Sequence, residues 1–227
     1  MENEIGKICA EGFSFFGMTN RLISHELKNI LAIISETMGL IDELVKLSET
    51  GMELKPGKLR SLSESIIEEV ERANAIIKNM NTLAHSVDEF IREVDIRQTV
   101  SLMIELSQLD SALKSTKLRL VDSESCIVYT SPLFLENLIS RVINLSLRSA
   151  GPENEIRVSF DSDDNRVRII FSGIASNING EFPTKKEDFL AKLLSAKVSF
   201  DASAGNLNIV LPKRIRESLI QNLLLDE

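Results

Sequence analysis

Cysteine is nearly missing from these 227 residues. Cys9 and Cys126 stand alone, without the paired Cys/His spacing of a zinc site, and two thiols make no disulfide framework. Both read as buried or incidental. Long apolar runs are missing as well: none approaches the roughly 18 residues that mark a membrane span. Glu2 and Glu4 stand where a signal sequence would be basic. These absences predict a soluble, cytoplasmic protein with no membrane partner. Clusters of Lys and Arg are lacking too. The 26 basic residues are outnumbered by 34 acidic ones, giving a net charge of -8, and phosphate-backbone binding asks for basic runs, so nucleic acid is excluded as the main partner. Internal repeats and low-complexity tracts do not appear. What remains is an ordinary 43% of hydrophobic residues, enough for a normal core in one large or two modest domains.

The most informative stretch is Ser24-His25-Glu26-Leu27-Lys28-Asn29. It lies in a heptad pattern with Leu27, Ile34 and Ile41 at a and Ile23, Ile30 and Leu44 at d. Leu31, Met38 and Val45 fall at e, with Ile33 and Leu40 at g. In that phase His25 falls at f and Asn29 at c, one turn apart on the face turned away from the apolar seam. Upstream, Gly12 and Gly17 interrupt a mildly amphipathic stretch, so the helix begins either there or near Thr19. It runs to about Leu47, where Ser48 to Gly51 and Lys55-Pro56-Gly57 predict a turn. From Lys58 the heptad resumes, with Leu59, Ile66, Ala73, Met80, Val87 and Val94 at a and Leu62, Ile76, Leu83 and Phe90 at d. The pattern predicts a helical hairpin whose apolar stripe is too broad for one partner helix, and hence a homodimer through a four-helix bundle. His85 also falls at f, without a following acid, and reads as a solvated surface residue.

Beyond Asp95 the periodicity changes. Helices are predicted over about 99–113, 132–149, 185–194 and 212–224, and short strands over 117–121 and 127–130. Two hairpins follow: 155–160 with 166–171 about a polar turn, and 197–200 with 207–211 about Ala204-Gly205-Asn206. The chain therefore divides into residues 1–94, a dimerisation hairpin, and 95–227, an α+β sandwich with helices on one face of a mixed sheet.

Taken together, these segments resemble a sensor histidine kinase core. Ser24 to Asn29 resembles the phosphoacceptor box of that family, with Ile30 where a proline commonly follows, and Glu93-Val94-Asp95-Ile96-Arg97 is similar to the entry into its ATPase domain. The resemblance implies His25 as phosphoacceptor. It implies Glu26 as the group that orients the ring or takes up its proton, and Asn29 as a positioner of water against a receiver acyl phosphate. Lys28, Ala32 and Glu36 would meet the partner, with small Ala32 and Gly39 leaving room for a receiver helix.

The second domain departs from the family. On the helix that resembles the asparagine-bearing nucleotide helix, Arg141 and Leu145 stand where asparagines are expected, and Asn144 is one residue off. Gly173 to Ile178 occupies the place of an Asp-x-Gly-x-Gly motif, with Gly173 where the adenine-gripping Asp belongs. No second glycine-rich segment follows, and little room is left for an ATP lid. Losing the metal ligand removes the charge clamp on which transfer from ATP depends.

The expectation is a histidine phosphotransferase without nucleotide or metal of its own. It would exchange phosphoryl groups with response-regulator receiver domains that bring their own Mg²⁺. The alternatives are a divergent histidine kinase or receiver phosphatase, and a noncatalytic dimer that sequesters a regulator.

Overall fold

The protein is described here by a computed structural model covering residues 2–110, 116–121, 124–151, 155–175, 178 and 181–215. It is an α+β protein that divides into two compact units, residues 18–82 and residues 1–17 with 83–227.

Helix α1 runs unbroken from Glu2–Glu49, so the earlier of the two predicted starts holds and both Gly12 and Gly17 lie inside it. Gly51 ends it, taking the left-handed φ of 95°, while Met52 N–H returns to the Leu47 carbonyl at 3.2 Å. Helix α2, Pro56–Ala84, opens on a proline, whose missing N–H costs nothing in a first turn. The d positions Ile23, Ile30, Thr37, Ile76 and Leu83 are the buried ones. Leu27, Ile34 and Ile41 are half-buried, and Leu31, Ile33, Met38, Leu40 and Val45 are exposed along with Ile67, Val70 and Ile77.

The predicted heptad past Ala84 does not continue as helix. Residues His85–Val87 form one 3₁₀ turn, and β1, Arg92–Asp95, pairs antiparallel with β3, Ile127–Thr130, so Val94 faces Val128. Tertiary contacts win over the local period here. The Ser86 hydroxyl is drawn into a buried bond with Glu136 at 2.5 Å, and Phe90 stands edge-on to Phe134 with ring centroids 5.6 Å apart.

Helix α3, Ile96–Ser107, starts three residues before the predicted boundary because Asp95 caps it, accepting from Gln98 N–H at 3.2 Å. Residues 111–113 of the prediction lie outside the described residues. Then come β2 (Lys117–Leu120), β3, α4 (Pro132–Arg148), β4 (Glu155–Ser162), β5 (Arg166–Ser172), α5 (Lys185–Leu193), β6 (Lys197–Asp201) and β7 (Asn206–Pro212). Five strands form one mixed sheet in the order β2-β4-β5-β7-β6, in which only β2–β4 is parallel.

Period-two alternation places Ile156, Val158, Phe160, Val167, Ile169, Phe171, Leu207, Ile209 and Leu211 on one buried face. The buried stripes of the helices, Val100 and Met103 on α3, Leu138, Ile139, Val142 and Ile143 on α4, and Leu190 on α5, complete this core. Each such side chain contributes about 1.5–3 kcal/mol by leaving water. The predicted C-terminal helix does not start at Pro212. That residue ends β7, and after a bend at Lys213 the chain bridges to Tyr129, whose N–H donates to the Lys213 carbonyl at 2.7 Å and whose carbonyl accepts from Ile215 N–H at 3.0 Å; residues 216–224 lie outside the described residues.

Candidate functional site

On α1, His25, Lys28, Asn29, Ala32, Glu36 and Gly39 are all exposed, as the heptad phase predicts. Glu26 is the exception, with only 4% of its surface accessible. Asn29 links the two environments: its Nδ2 lies 3.3 Å from His25 Nδ1 and donates to Glu26 Oε2 at 3.2 Å. The other oxygen of Glu26 accepts from Arg72, which reaches across from α2 and also donates to Glu69 at 3.2 Å. Burial of a carboxylate is costly unless a cation and further donors meet it, and here one guanidinium and one amide do. The result is a polar chain from Arg72 through Glu26 and Asn29 to the exposed imidazole of His25.

This arrangement acts on the ring's tautomer. With Asn29 Nδ2 directed at Nδ1, the ring proton resides on Nε2. With the amide turned over, Oδ1 accepts from Nδ1–H and the Nε2 lone pair faces outward. The outward nitrogen is the one a partner can reach.

Arg72 was not predicted, yet the sequence carries a signal for it. The d series of α2 runs Leu62, then Ile76, and the skipped d position is Glu69. A charged residue at a seam position marks the turn where Arg72 and Glu26 meet. His85, by contrast, is exposed and pairs with Asp88, Nδ1 to Oδ2 at 2.7 Å.

In the other unit the residues at or near the positions that the family resemblance singles out make structural contacts. Arg141 on α4 lies between two carboxylates, Glu11 Oε2 at 2.9 Å and Glu187 Oε1 at 3.2 Å, and Lys186 joins Glu11 Oε1 at 3.1 Å. Glu187 in turn closes a capping box with Thr184 at the start of α5. Asn137 donates to the Glu11 carbonyl at 3.4 Å. Gly173 follows β5 with φ of 94°. One turn into α4, burial pushes the Glu136 carboxyl up to about 7, against the opposite pull of the Ser86 hydroxyl and Arg92. No group of metal-binding side chains occurs among the described residues.

No protein-family model and no curated protein sequence matches the chain. Solved structures similar to it are histidine kinases and a bacterial phosphotransferase. The structure titled as a bacterial phosphotransferase is 12% identical, with 87% of this chain and 95% of that chain covered and a TM-score of 0.48. The Acinetobacter baumannii histidine kinase AdeS is 15% identical, over 83% of this chain and 96% of that one, with a TM-score of 0.44. The catalytic domain of histidine kinase ThkA is 12% identical, over 56% and 99%, with a TM-score of 0.43.

Proposed function

We propose that the chain is a histidine phosphotransferase of two-component signalling, relaying phosphoryl groups between receiver aspartates and His25. The observation that carries this reading is the exposed imidazole backed by the Asn29–Glu26–Arg72 chain. In the forward step the Nε2 lone pair of His25 attacks phosphorus of the receiver's aspartyl phosphate. The bond from phosphorus to the aspartyl oxygen breaks and the carboxylate leaves. Attack from Nε2 requires the ring proton on Nδ1, so the Asn29 amide must first turn its nitrogen away from the ring, and the reverse step restores the acyl phosphate on a second receiver. The receiver supplies Mg²⁺, so this chain need only position a nucleophile.

Two further features support the reading. Leu145 and Gly173 stand where the family resemblance calls for the metal-binding asparagine and an adenine-binding Asp, and Arg141, in place of the other asparagine, is engaged by Glu11 and Glu187. The exposed apolar residues of α1 and α2 supply a surface for a second copy, closing a four-helix bundle. In this reading dimerisation and phosphoacceptance fall within residues 1–94, and Lys28, Ala32 and Glu36 meet the receiver.

The test is incubation with phosphorylated candidate receivers, followed by mapping of acid-labile label. Label is expected on His25, absent from His25→Gln and absent from His85; label on neither histidine overturns the relay. Ala32→Arg is expected to slow transfer at least tenfold without unfolding the helix. Saturable ATP binding at micromolar concentration, with autophosphorylation of His25, would assign a divergent kinase instead.

A further inference from the structure

The outer face of the five-stranded sheet, opposite its buried side, gathers positive charge at one end. β5 projects Arg166 and Arg168 there, β6 projects Lys197, and all three are exposed. The register sets Arg168 and Lys197 on either side of Val210, and Arg166 beside Pro212. The two basic walls therefore stand two strand spacings apart, about 10 Å, over an apolar floor of Val210 and Pro212. Arg214, just past β7, lines the same cleft, its guanidinium 4.4 Å from the centroid of the Tyr129 ring. Ser195, in the left-handed conformation at φ 51°, and Ala196 form the turn beside Lys197. The cleft measures about 530 Å³, within the range of small-molecule sites.

Its charge is out of keeping with the molecule. The chain carries a net charge of -8, yet three guanidinium groups and one ammonium line this cleft, and among the described residues no carboxylate does. Of the acids placed nearby by register and turn, Asp161 stands opposite Arg168. The Asp163 carboxylate accepts the backbone N–H groups of Asn165 and Arg166, both at 2.8 Å. Like charges gathered on one sheet face repel, and an anion between them removes that cost. Guanidinium forks match phosphoryl oxygens two at a time, and the apolar floor accepts a carbon moiety between them.

We propose that this cleft binds a small phosphorylated organic anion, its phosphoryl oxygens on Arg166, Arg168 and Arg214 and its apolar part on Val210 and Pro212. The proposal is independent of phosphotransfer at His25.

Calorimetric titration of the full chain with phenyl phosphate, and separately with inorganic phosphate, tests it. Saturable binding is expected for both, tighter for phenyl phosphate because of the floor. Arg166→Gln and Arg168→Gln are each expected to weaken it about tenfold, the loss of a charge-assisted pair. Arg157→Gln, on the same face outside the cleft, should leave affinity unchanged. These side chains point to solvent, so the variants keep the fold, which circular dichroism verifies; Lys197→Gln provides a second variant on the opposite wall. Vesicles of phosphatidylcholine with and without phosphatidylinositol phosphate separate the two sources of the ligand. Binding that depends on that headgroup and on Arg166 supports the proposal with a lipid as source, and binding confined to the soluble probe supports it with a free metabolite. No saturable binding of any probe, or binding that the cleft substitutions leave intact, overturns it.

Discussion

The hairpin unit and the sandwich unit differ in what they leave unfinished. In the hairpin the buried apolar side chains form only a narrow line of d positions, and Met38, Leu40, Val45, Val70 and Ile77 remain exposed. Its polar groups are nonetheless linked to one another, with His25 exposed and the buried carboxylate of Glu26 behind it. In the sandwich Leu138, Ile139, Ile143, Ile169 and Phe171 are all buried to 0%, and packing is complete. There the positions expected to carry nucleotide chemistry are held in ion pairs such as Arg141 with Glu11 and Glu187. Polar groups are left accessible in the hairpin, and in the sandwich the surrounding structure engages them.

The sharpest way to break this contrast is to truncate one side chain in each unit. Phe171→Ala is expected to cost about 3–5 kcal/mol in urea denaturation, because it opens a cavity in a closed core. Met38→Ala should cost less than about 0.5 kcal/mol within one chain and instead make stability and sedimentation depend on concentration. An equal loss at both positions would erase the distinction.

Next in size is the buried acid. The folded Glu136 carboxyl lies near 7 against an ordinary value of 4.5, so the folded state holds the proton more tightly than the unfolded one. Its contribution is fully present below pH 4.5 and is lost as pH rises through 7, a total of about 3 kcal/mol. Glu136→Gln should flatten that profile and be the more stable form at pH 8. Parallel urea midpoints for the two proteins between pH 4.5 and 8 would show that Glu136 is not the group responsible.

Arg72→Ala tests the other buried carboxylate. Stripping Glu26 of its cation is expected to cost about 1–3 kcal/mol and to slow transfer to His25. Arg72→Lys should recover stability better than rate if the guanidinium fixes geometry. The smallest effect belongs to His85→Gln, within about 0.5 kcal/mol and with unchanged labelling, since an exposed side chain with one exposed partner carries little.

Much of this was readable from the chain. The f-phase of His25 gave its exposure, because a 3.6-residue repeat fixes which side chains share a face. The polar turns gave both sheet hairpins, because Asp163 and Gly205 carry turn chemistry. The end of α2 was not readable by the same route. Val87, Phe90 and Val94 keep heptad spacing, and only contacts distant in sequence, Ser86 with Glu136 and Phe90 with Phe134, redirect the chain. The early start of α3 has a signal in the chain: Asp95 followed three residues later by Gln98 is a capping pattern. Arg72 lay between these cases, marked only by the charged Glu69 at a seam position. The convergence of Arg166, Arg168, Lys197 and Arg214 had no sequence signature, because strand order rather than spacing brings them together.

Gly173 closes its position to every other residue. A Cβ built there would overlap the Glu155 carbonyl oxygen of the neighbouring strand, and the backbone already holds a φ of 94° that other residues rarely adopt. Any side chain at this position must first push β4 and β5 apart. Gly173→Asp, the residue that the kinase resemblance asks for, is therefore expected to damage the sheet before it could offer a carboxylate to any ligand.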